Sequence, residues 1–355
     1  MNDPTKKDIK CLKVEKRNGE KIRQLLVKFG YLDNDHRIES DETHIFFPLR
    51  RHVELEGIFT ELDTRNLEVV VHSVRSRSRR MSYRDMLENI LPEELYHLIP
   101  SSFDLIGQIA IVKVLPEVIG YKEEIGKSII SSTNARTVYL KTGNVSGNFR
   151  LPELEFIAGE PLEETTHNEH GLKLFIDVKK AFFNPRLANE HQRVANLVRS
   201  GETVVDFFTG TGPFALLIAK RVSRSKVYAI DINPDAIRCL NESLKLNKLQ
   251  GTINPIIGDI KNISDLLPEA DRAIMNLPGQ ASEFLNIAFE KTKKGGAIHY
   301  YSFSPKNATD PVKAVCEEIE IWFEKHGLPG KIKNAFKLRE VSVAKFQVAV
   351  DILRS

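Results

Sequence analysis

The sequence predicts an α/β fold: a Rossmann-like domain with a mostly parallel sheet and a C-terminal antiparallel hairpin, preceded by two smaller α+β modules. Three observations carry this. From residue 179 onward, short apolar runs (T-V-V-D-F-F, K-V-Y-A-I-D, T-I-N-P-I-I-G-D, D-R-A-I-M-N, G-A-I-H-Y-Y-S) alternate with helical stretches at 186–199, 213–222, 234–247, 280–291 and 309–326. Alternation on that scale means parallel strands with helices on both faces. The last strand, F-Q-V-A-V-D-I-L, directly follows F-K-L-R-E-V-S-V-A-K, which predicts a closing hairpin. Before residue 179 the pattern is irregular, and 355 residues are enough for two or three domains.

Taken in order, residues 1–75 read as a small α+β module with strands at 9–14, 44–48 and 67–74 and a helix at 19–29. Residues 75–81 form an Arg/Ser-rich linker. Residues 82–178 read as a second α+β module. Its first stretch, 82–100, is helical and divided by Pro92. F-D-L-I-G-Q-I-A-I-V-K-V reads as one buried strand, followed by a helix at 116–127 and strands at 136–141, 152–157 and 172–178. G-N-V-S-G-N-F-R reads as a glycine-rich turn, and His167 and His170 flank another. Residues 179–355 form the α/β domain.

Composition narrows the possibilities. Hydrophobic residues make up 41% and charged residues 28% of the chain, enough for ordinary cores. No apolar run has the length of a membrane span, and the N-terminus lacks the apolar stretch of a secretory signal. Cys11, Cys239 and Cys316 lie far apart, against a disulfide framework, a zinc ribbon or an iron–sulfur cluster, so a reduced cytoplasmic location is expected. The net charge is +3, and residues 1–80 hold 17 of the 51 Lys/Arg against 14 of the 48 Asp/Glu, so the whole excess sits there. Much of it is Arg75, Arg77, Arg79 and Arg80. The run is either a solvated linker or a phosphate-binding patch, since Arg and Ser both donate to phosphate oxygens without reading sequence.

The run E-T-V-V-D-F-F-T-G-T-G-P-F-A carries a strand through Asp206, Phe207 and Phe208 into Gly210 and Gly212, then into a helix opened by Pro213. Proline suits the first helical turn, whose N–H has no intrahelical partner. Through Ala215 the run also satisfies a G-x-G-x-x-A dinucleotide fingerprint. A nicotinamide site and an S-adenosylmethionine (SAM) site therefore compete. Asp231, 25 residues after Asp206, ends the next strand and suits the ribose hydroxyls of either. Gly258-Asp259 ends the third strand and N-L-P-G, from Asn276 through Pro278 to Gly279, the fourth. A pyrophosphate fingerprint predicts nothing at those two places, whereas a SAM site predicts an acid near the adenine amine and a polar turn after strand four. Pro213 also removes an N–H that a pyrophosphate would use. SAM is the better reading, with Asp206, Phe208, Gly210, Gly212, Pro213, Asp231, Ile232, Asp259, Asn276 and Pro278 as cofactor candidates.

These segments resemble a known family. D-F-F-T-G-T-G-P-F, D-I-N-P-D-A, G-D and M-N-L-P-G look like the class I methyltransferase domain of the archaeal and eukaryotic tRNA (guanine-N1)-methyltransferases. V-S-G-N-F-R-L-P-E-L-E, T-H-N-E-H-G and F-F-N-P-R-L-A-N-E-H-Q-R are similar to that family's middle domain and junction, so the likeness covers roughly 100–355. It implies SAM-dependent methylation of the guanosine just 3′ of the anticodon (position 37), by a monomer whose N-terminal domain contacts the outer corner of tRNA and whose other domains clamp the anticodon stem-loop. It implies Arg150 as the catalytic arginine, Glu190 as general base, and Asn276 and Pro278 at the target-base turn. Arg186 and His191 are candidate substrate contacts, although the family often has E-R where this chain has Glu190-His191. Some members also C-methylate a tricyclic wyosine precursor, 4-demethylwyosine, at the same position.

The chemistry suits these residue types. Guanine N1 carries a proton in the neutral base, so a carboxylate must remove it before the nitrogen can attack a methyl. The resulting charge spreads onto O6, where a guanidinium stabilises it. Asn276 can donate and accept along the base edge, and no metal is needed. Without the resemblance, simpler accounts exist: Glu190 as a surface ion pair with Arg186 at i−4 or Arg193 at i+3, Arg150 as a loop arginine, Asn276 as a turn cap. Phe182 and Phe183 are core residues or line the pocket. Gly279 stands where related turns place a stacking aromatic. A non-catalytic SAM-fold RNA-binding protein and a small-molecule enzyme remain as alternatives, the second disfavoured by the extra N-terminal module.

Overall fold

The structure, a computed structural model, describes residues 6–50, 67–75, 81–88, 90–143, 147, 149–305, 308–328, 330–342 and 345–355, and divides into two units, 1–81 and 82–355. In the first, β1 (Lys6–Glu15), β2 (Glu39–Ser40), β3 (His44–Pro48) and β4 (Glu68–Arg75) form an antiparallel sheet in the order β2-β3-β1-β4. Strand alternation sends Leu12 and Val14 to one face, where Ile22 and Leu26 of the helix Gly19–Lys28 pack at i,i+4 spacing. Cys11 faces the other way, against Phe46 and Val74. The expected strands and helix match within a few residues. β2 was not foreseen, since two residues leave no period. Arg75 ends β4 opposite Lys6. Arg77, Arg79 and Arg80 lie outside the described residues.

In the second unit, β5 (Phe103–Ile106), β6 (Ile109–Val112), β7 (Thr137–Lys141) and β8 (Leu154–Gly159) form a sheet in that order. The single strand expected over 103–114 is instead the β5–β6 hairpin, turned at Gly107 with φ +55°. β6 and β7 are parallel, and the helix Lys122–Ser132 crosses between them, burying Ile125 and Ile129. That helix begins later than expected, after a 3-10 turn over Pro116–Tyr121. Pro92 does divide 82–100: Ser82 and Asp85 make a capping box for the helix Tyr83–Leu87, and a 3-10 helix, Glu93–Leu98, follows.

β9 (Glu164–Glu169) and β10 (Leu172–Asp177) pair as a hairpin turned at His170 and Gly171. The polar T-T-H-N-E gave no strand signal. β9 fastens to the β5–β6 turn through Gly107 N–H to His167 Nδ1 (3.1 Å) and Gln108 N–H to Thr165 Oγ1 (3.0 Å). β10 lies along the helix Pro234–Leu246, where Ser243 Oγ accepts from Phe175 N–H (2.8 Å) and Asn247 exchanges bonds with both backbone groups of Lys173 (3.0 and 2.7 Å). Side chains thus cover a strand edge that would otherwise be open.

The large sheet contains β11 (Thr203–Asp206), β12 (Lys226–Asp231), β13 (Thr252–Ile257), β14 (Ala270–Met275), β15 (Thr292–Phe303), β16 (Gly330–Ser342) and β17 (Lys345–Arg354). Its order is β13-β12-β11-β14-β15-β17-β16, parallel through β15 and closed by the antiparallel β16–β17 hairpin. The helix Pro213–Arg221 is buried from Pro213 to Ala219, which explains its apolar, weakly patterned sequence. Strand order reverses between β11 and β14. Successive crossovers diverge there and leave a crevice at the carboxyl ends, where ligands of such sheets bind.

Candidate cofactor and target-base site

The residues singled out in the sequence gather along that carboxyl edge. Asp206 ends β11, Asp231 ends β12, Asp259 follows β13 and Asn276 follows β14. Gly210 (φ +56°) and Gly212 (φ +81°) turn the loop after β11 in the left-handed region that only glycine enters easily. A Cβ on Gly210 would stand 3.2 Å from the Phe182 carbonyl, and one on Gly212 2.4 Å from Leu240 Cδ1.

Two carboxylates shape the loop. Asp231 accepts from Gly210 N–H (2.7 Å) and Asn233 N–H (2.9 Å); burial raises its pKa against those two bonds. Asp206 is fully buried, and its pKa is pushed up to about 7 by burial and secondarily by the Asp231 charge, against the Thr209 hydroxyl bond of 2.8 Å. Among the described residues, Asp206 Oδ1 and Thr211 Oγ1 are buried without a hydrogen-bond partner. Unpaired buried polar atoms are costly, and here two of them flank a glycine cradle. The donors and acceptors suit a polar nucleoside ligand, and SAM, the cofactor, fits this loop.

The other cofactor candidates fall around it. Phe208 packs edge-on to Phe284 at 4.9 Å. Ile232 is 45% exposed beyond Asp231. Asp259 caps the short helix Ile260–Ile263 through Lys261 N–H (2.9 Å). Phe182 is exposed beside Gly210, and Phe183 packs partly buried against His167.

Arg150 reaches the fourth-strand turn from the other side of the unit. It sits before β8 with φ +54°, and its Nη2 donates to the Pro278 carbonyl at 2.7 Å. Burial holds its pKa below the ordinary arginine value. Gly279 (φ +101°) is exposed, and the atoms nearest a Cβ there would be Phe303 at 3.5 and 3.7 Å and Arg150 Nη2 at 3.9 Å. Asn276 is half-buried and Pro278 buried.

Glu190 lies on the helix Ala188–Leu197 and is 2% exposed. Its i+3 neighbour Arg193 does pair with it, as the sequence allowed, but Glu190 is buried and Arg193 only partly exposed, rather than both lying on the surface. Nε donates to Oε2 at 2.8 Å and Nη2 to Oε1 at 2.7 Å. Tyr301 on β15 donates its hydroxyl to Oε1 at 2.5 Å. Arg193 also holds Asp351 of β17 (2.7 and 3.1 Å), and Asp351 accepts from His299 Nδ1 at 2.7 Å. Tyr301, Asp351 and His299 were missed in the sequence. Their signal was polar residues inside apolar strands, Y-Y-S and V-A-V-D-I-L.

Of the two candidate substrate contacts, His191 is enclosed and Arg186 is exposed. His191 is 1% exposed; its Nδ1 donates to Glu169 Oε1 at 2.7 Å and its ring packs edge-on to Phe214 at 4.6 Å. It braces β9 against the helix and has no open side for a substrate. Successive helix residues point about 100° apart, so His191 faces away from its neighbour Glu190. Arg186 is exposed but donates to Asp104 of β5 at 2.6 Å, not to Glu190.

Comparison with known proteins agrees with this geometry. A family model described as the TRM5/TYW2 methyltransferase domain matches residues 165–326, a TYW2 N-terminal domain 83–162, and a tRNA methyltransferase 5 N-terminal domain 11–55. The chain is 38% identical to the tRNA (guanine(37)-N(1))-methyltransferase Trm5b of Pyrococcus abyssi over 96% of its own length and 98% of the relative's. It is 36% identical to the tRNA 4-demethylwyosine(37)-methyltransferase Taw21 of Saccharolobus solfataricus, over 64% of this chain and 84% of that one. A solved complex of aTrm5 with tRNALeu superposes with a TM-score of 0.69 at 31% identity, covering 96% of this chain and 98% of that one. The chain belongs to the archaeal and eukaryotic-type tRNA (guanine(37)-N(1))-methyltransferase family.

Proposed function

We propose that this enzyme methylates N1 of guanosine 37 in tRNA, with Glu190 removing the N1 proton, Arg150 stabilising the charge that develops on O6, and Asn276 orienting the base edge. SAM supplies the electrophilic methyl group. The observation that carries the reading is the Arg150–Pro278 contact, which sets a guanidinium from the middle module on the turn after β14. A carboxylate offers about four lone-pair sites. Arg193 and Tyr301 use three of them, two on Oε1 and one on Oε2, so Oε2 keeps a position for the N1 proton. Glu190 is buried, so the flipped base must displace what covers it, and water is excluded from the proton transfer. Asp206 and Asp231 line the cofactor loop. The base leaves the anticodon stack at a cost of about a few kcal/mol.

The module 1–75 is proposed to hold the outer corner of tRNA, the modules 82–178 and 179–355 to grip the anticodon stem-loop, and Arg75, Arg77, Arg79 and Arg80 to meet phosphates. The enzyme is proposed to act as a cytoplasmic monomer. Nucleoside mass spectrometry of unmodified tRNA incubated with enzyme and labelled SAM tests the reaction: N1-methylguanosine at position 37 is expected. Absence of any labelled nucleoside would return the chain to a non-catalytic RNA-binding role.

A second reading is favoured by Gly279. Residue 279 itself puts no side chain at that turn, which suits a larger base, and Taw21 is a relative named as a 4-demethylwyosine methyltransferase. Incubation with tRNA already carrying 4-demethylwyosine tests it, since a C-methylated product is expected only if both substrates are accepted.

A further inference from the structure

We propose that Arg193, held between Glu190 and Asp351, is a positioning residue that tunes how readily the general base takes the N1 proton, with Asp351 as its counterweight. The proposal rests on the assignment of Glu190 as that base.

The residues converge by register. Glu190 and Arg193 stand three apart on one helix and share a face. His299 on β15 lies opposite Asp351 on β17, so both point to one face of the sheet, and Tyr301, two residues on, points the same way. The Arg193 fork fills the space between, two bonds to each carboxylate at 2.7–3.1 Å.

A guanidinium paired with one carboxylate favours its ionised form and leaves a poor proton acceptor. Here the one cation serves two carboxylates. The trio carries a net charge of −1, and uptake of a proton brings it to zero. Asp351 therefore offsets the cation and keeps Glu190 able to accept.

Arg193, Asp351 and Tyr301 hold their states. Burial pulls the pKa of Arg193 down, but its bonds to Glu190 and Asp351 outweigh this and keep it charged. Burial raises Asp351, but His299 and Arg193 outweigh that and hold it below the usual carboxylate range. Burial, then the Glu190 charge, put Tyr301 well above an ordinary phenol, so its proton stays. His299 Nε2 accepts from Arg272 Nη1 at 3.3 Å, so the ring's proton sits on Nδ1 and points at Asp351. Arg272 is closed by Glu202 at 2.7 Å. His191, next on the helix, faces Glu169 instead.

The test is single-turnover methyl transfer from labelled SAM to an unmodified tRNA transcript, measured against pH. Asp351→Asn gives Glu190 the undivided cation: the acid limb of the rate profile is expected to move down by about one pH unit or more, and the plateau to fall. Arg193→Gln leaves Glu190 facing Asp351 alone, and the limb is expected to move up. The double variant returns it toward the parent, and Arg193→Lys, which keeps the charge, leaves it near the parent. Thermal melts and SAM affinity identify folded variants, and Asp351→Asn carries the test if the glutamine variant does not fold, since its limb is expected to fall while that of Arg193→Lys stays near the parent. Limbs of Asp351→Asn and Arg193→Gln that stay in place, or move together, overturn the proposal and leave Arg193 a structural brace. Full activity of Glu190→Gln would instead overturn the base assignment, and the proposal with it.

Discussion

At the scale of single residues, burial decides what a substitution reports. Glu190→Gln keeps shape and most bonds while removing the proposed proton acceptor. Its transfer rate is expected to fall by about 10²–10⁴, with SAM affinity unchanged by calorimetry. Glu190→Ala is a worse probe, because it strands the buried Tyr301 hydroxyl and leaves Arg193 with Asp351 alone. Leaving a buried hydroxyl unpaired costs about 1–3 kcal/mol, which denaturant unfolding would show as a loss of stability absent from the glutamine variant. Arg150→Ala is expected to cost about 10²–10³ in rate, as loss of a single charge-stabilising donor does. Asp206 gives a pH prediction. Its carboxyl titrates at about 7 in the folded protein and near 3.9 when unfolded. Between those values the folded state holds the extra proton, so stability of the cofactor-free protein falls as pH rises through that window. Asp206→Asn should flatten that fall in thermal melts taken on either side of it. An unchanged pH dependence would show that another group carries it.

At the scale of elements, the loop after β11 is a sharp test, because its shape depends on glycine backbone. Gly212→Ala must hold φ +81° and push on Leu240, at a cost of roughly 1–3 kcal/mol. Weaker SAM binding should accompany the lower melting temperature. The same loop shows what the sequence makes legible. Where strand, glycine, proline and acid recur at fixed intervals, as from Asp206 through Asp231 to Asn276, period and spacing identify the element and the edge on which these residues stand. The β5–β6 hairpin was hidden, because two short buried strands read as one apolar run and Gly107 alone marks the turn. β9 was hidden for the opposite reason: its polar side chains are satisfied by a neighbouring turn that no local pattern reveals. The partners of Glu190 come from positions 111 and, through Arg193, 158 residues away, a separation that only the folded sheet closes.

At the scale of the whole molecule, the unit 1–81 has its own core, and the remaining 274 residues from Ser82 form a unit of their own. A chain beginning at Ser82 should therefore keep a cooperative melt and its SAM affinity while losing affinity for tRNA, read by filter binding. Changing Arg75, Arg77, Arg79 and Arg80 to Ala should shallow the dependence of tRNA affinity on salt by roughly 0.7–0.9 for each phosphate that is no longer neutralised. An unaltered slope would make the run a plain connector. Arg150 and the turn it touches are encoded 128 residues apart, on separate substructures of the same unit. On the proposed role of Arg150, donor capture and turnover are separable traits. A nick or insertion just ahead of β8 would yield a decoy that occupies both donor and tRNA and converts neither.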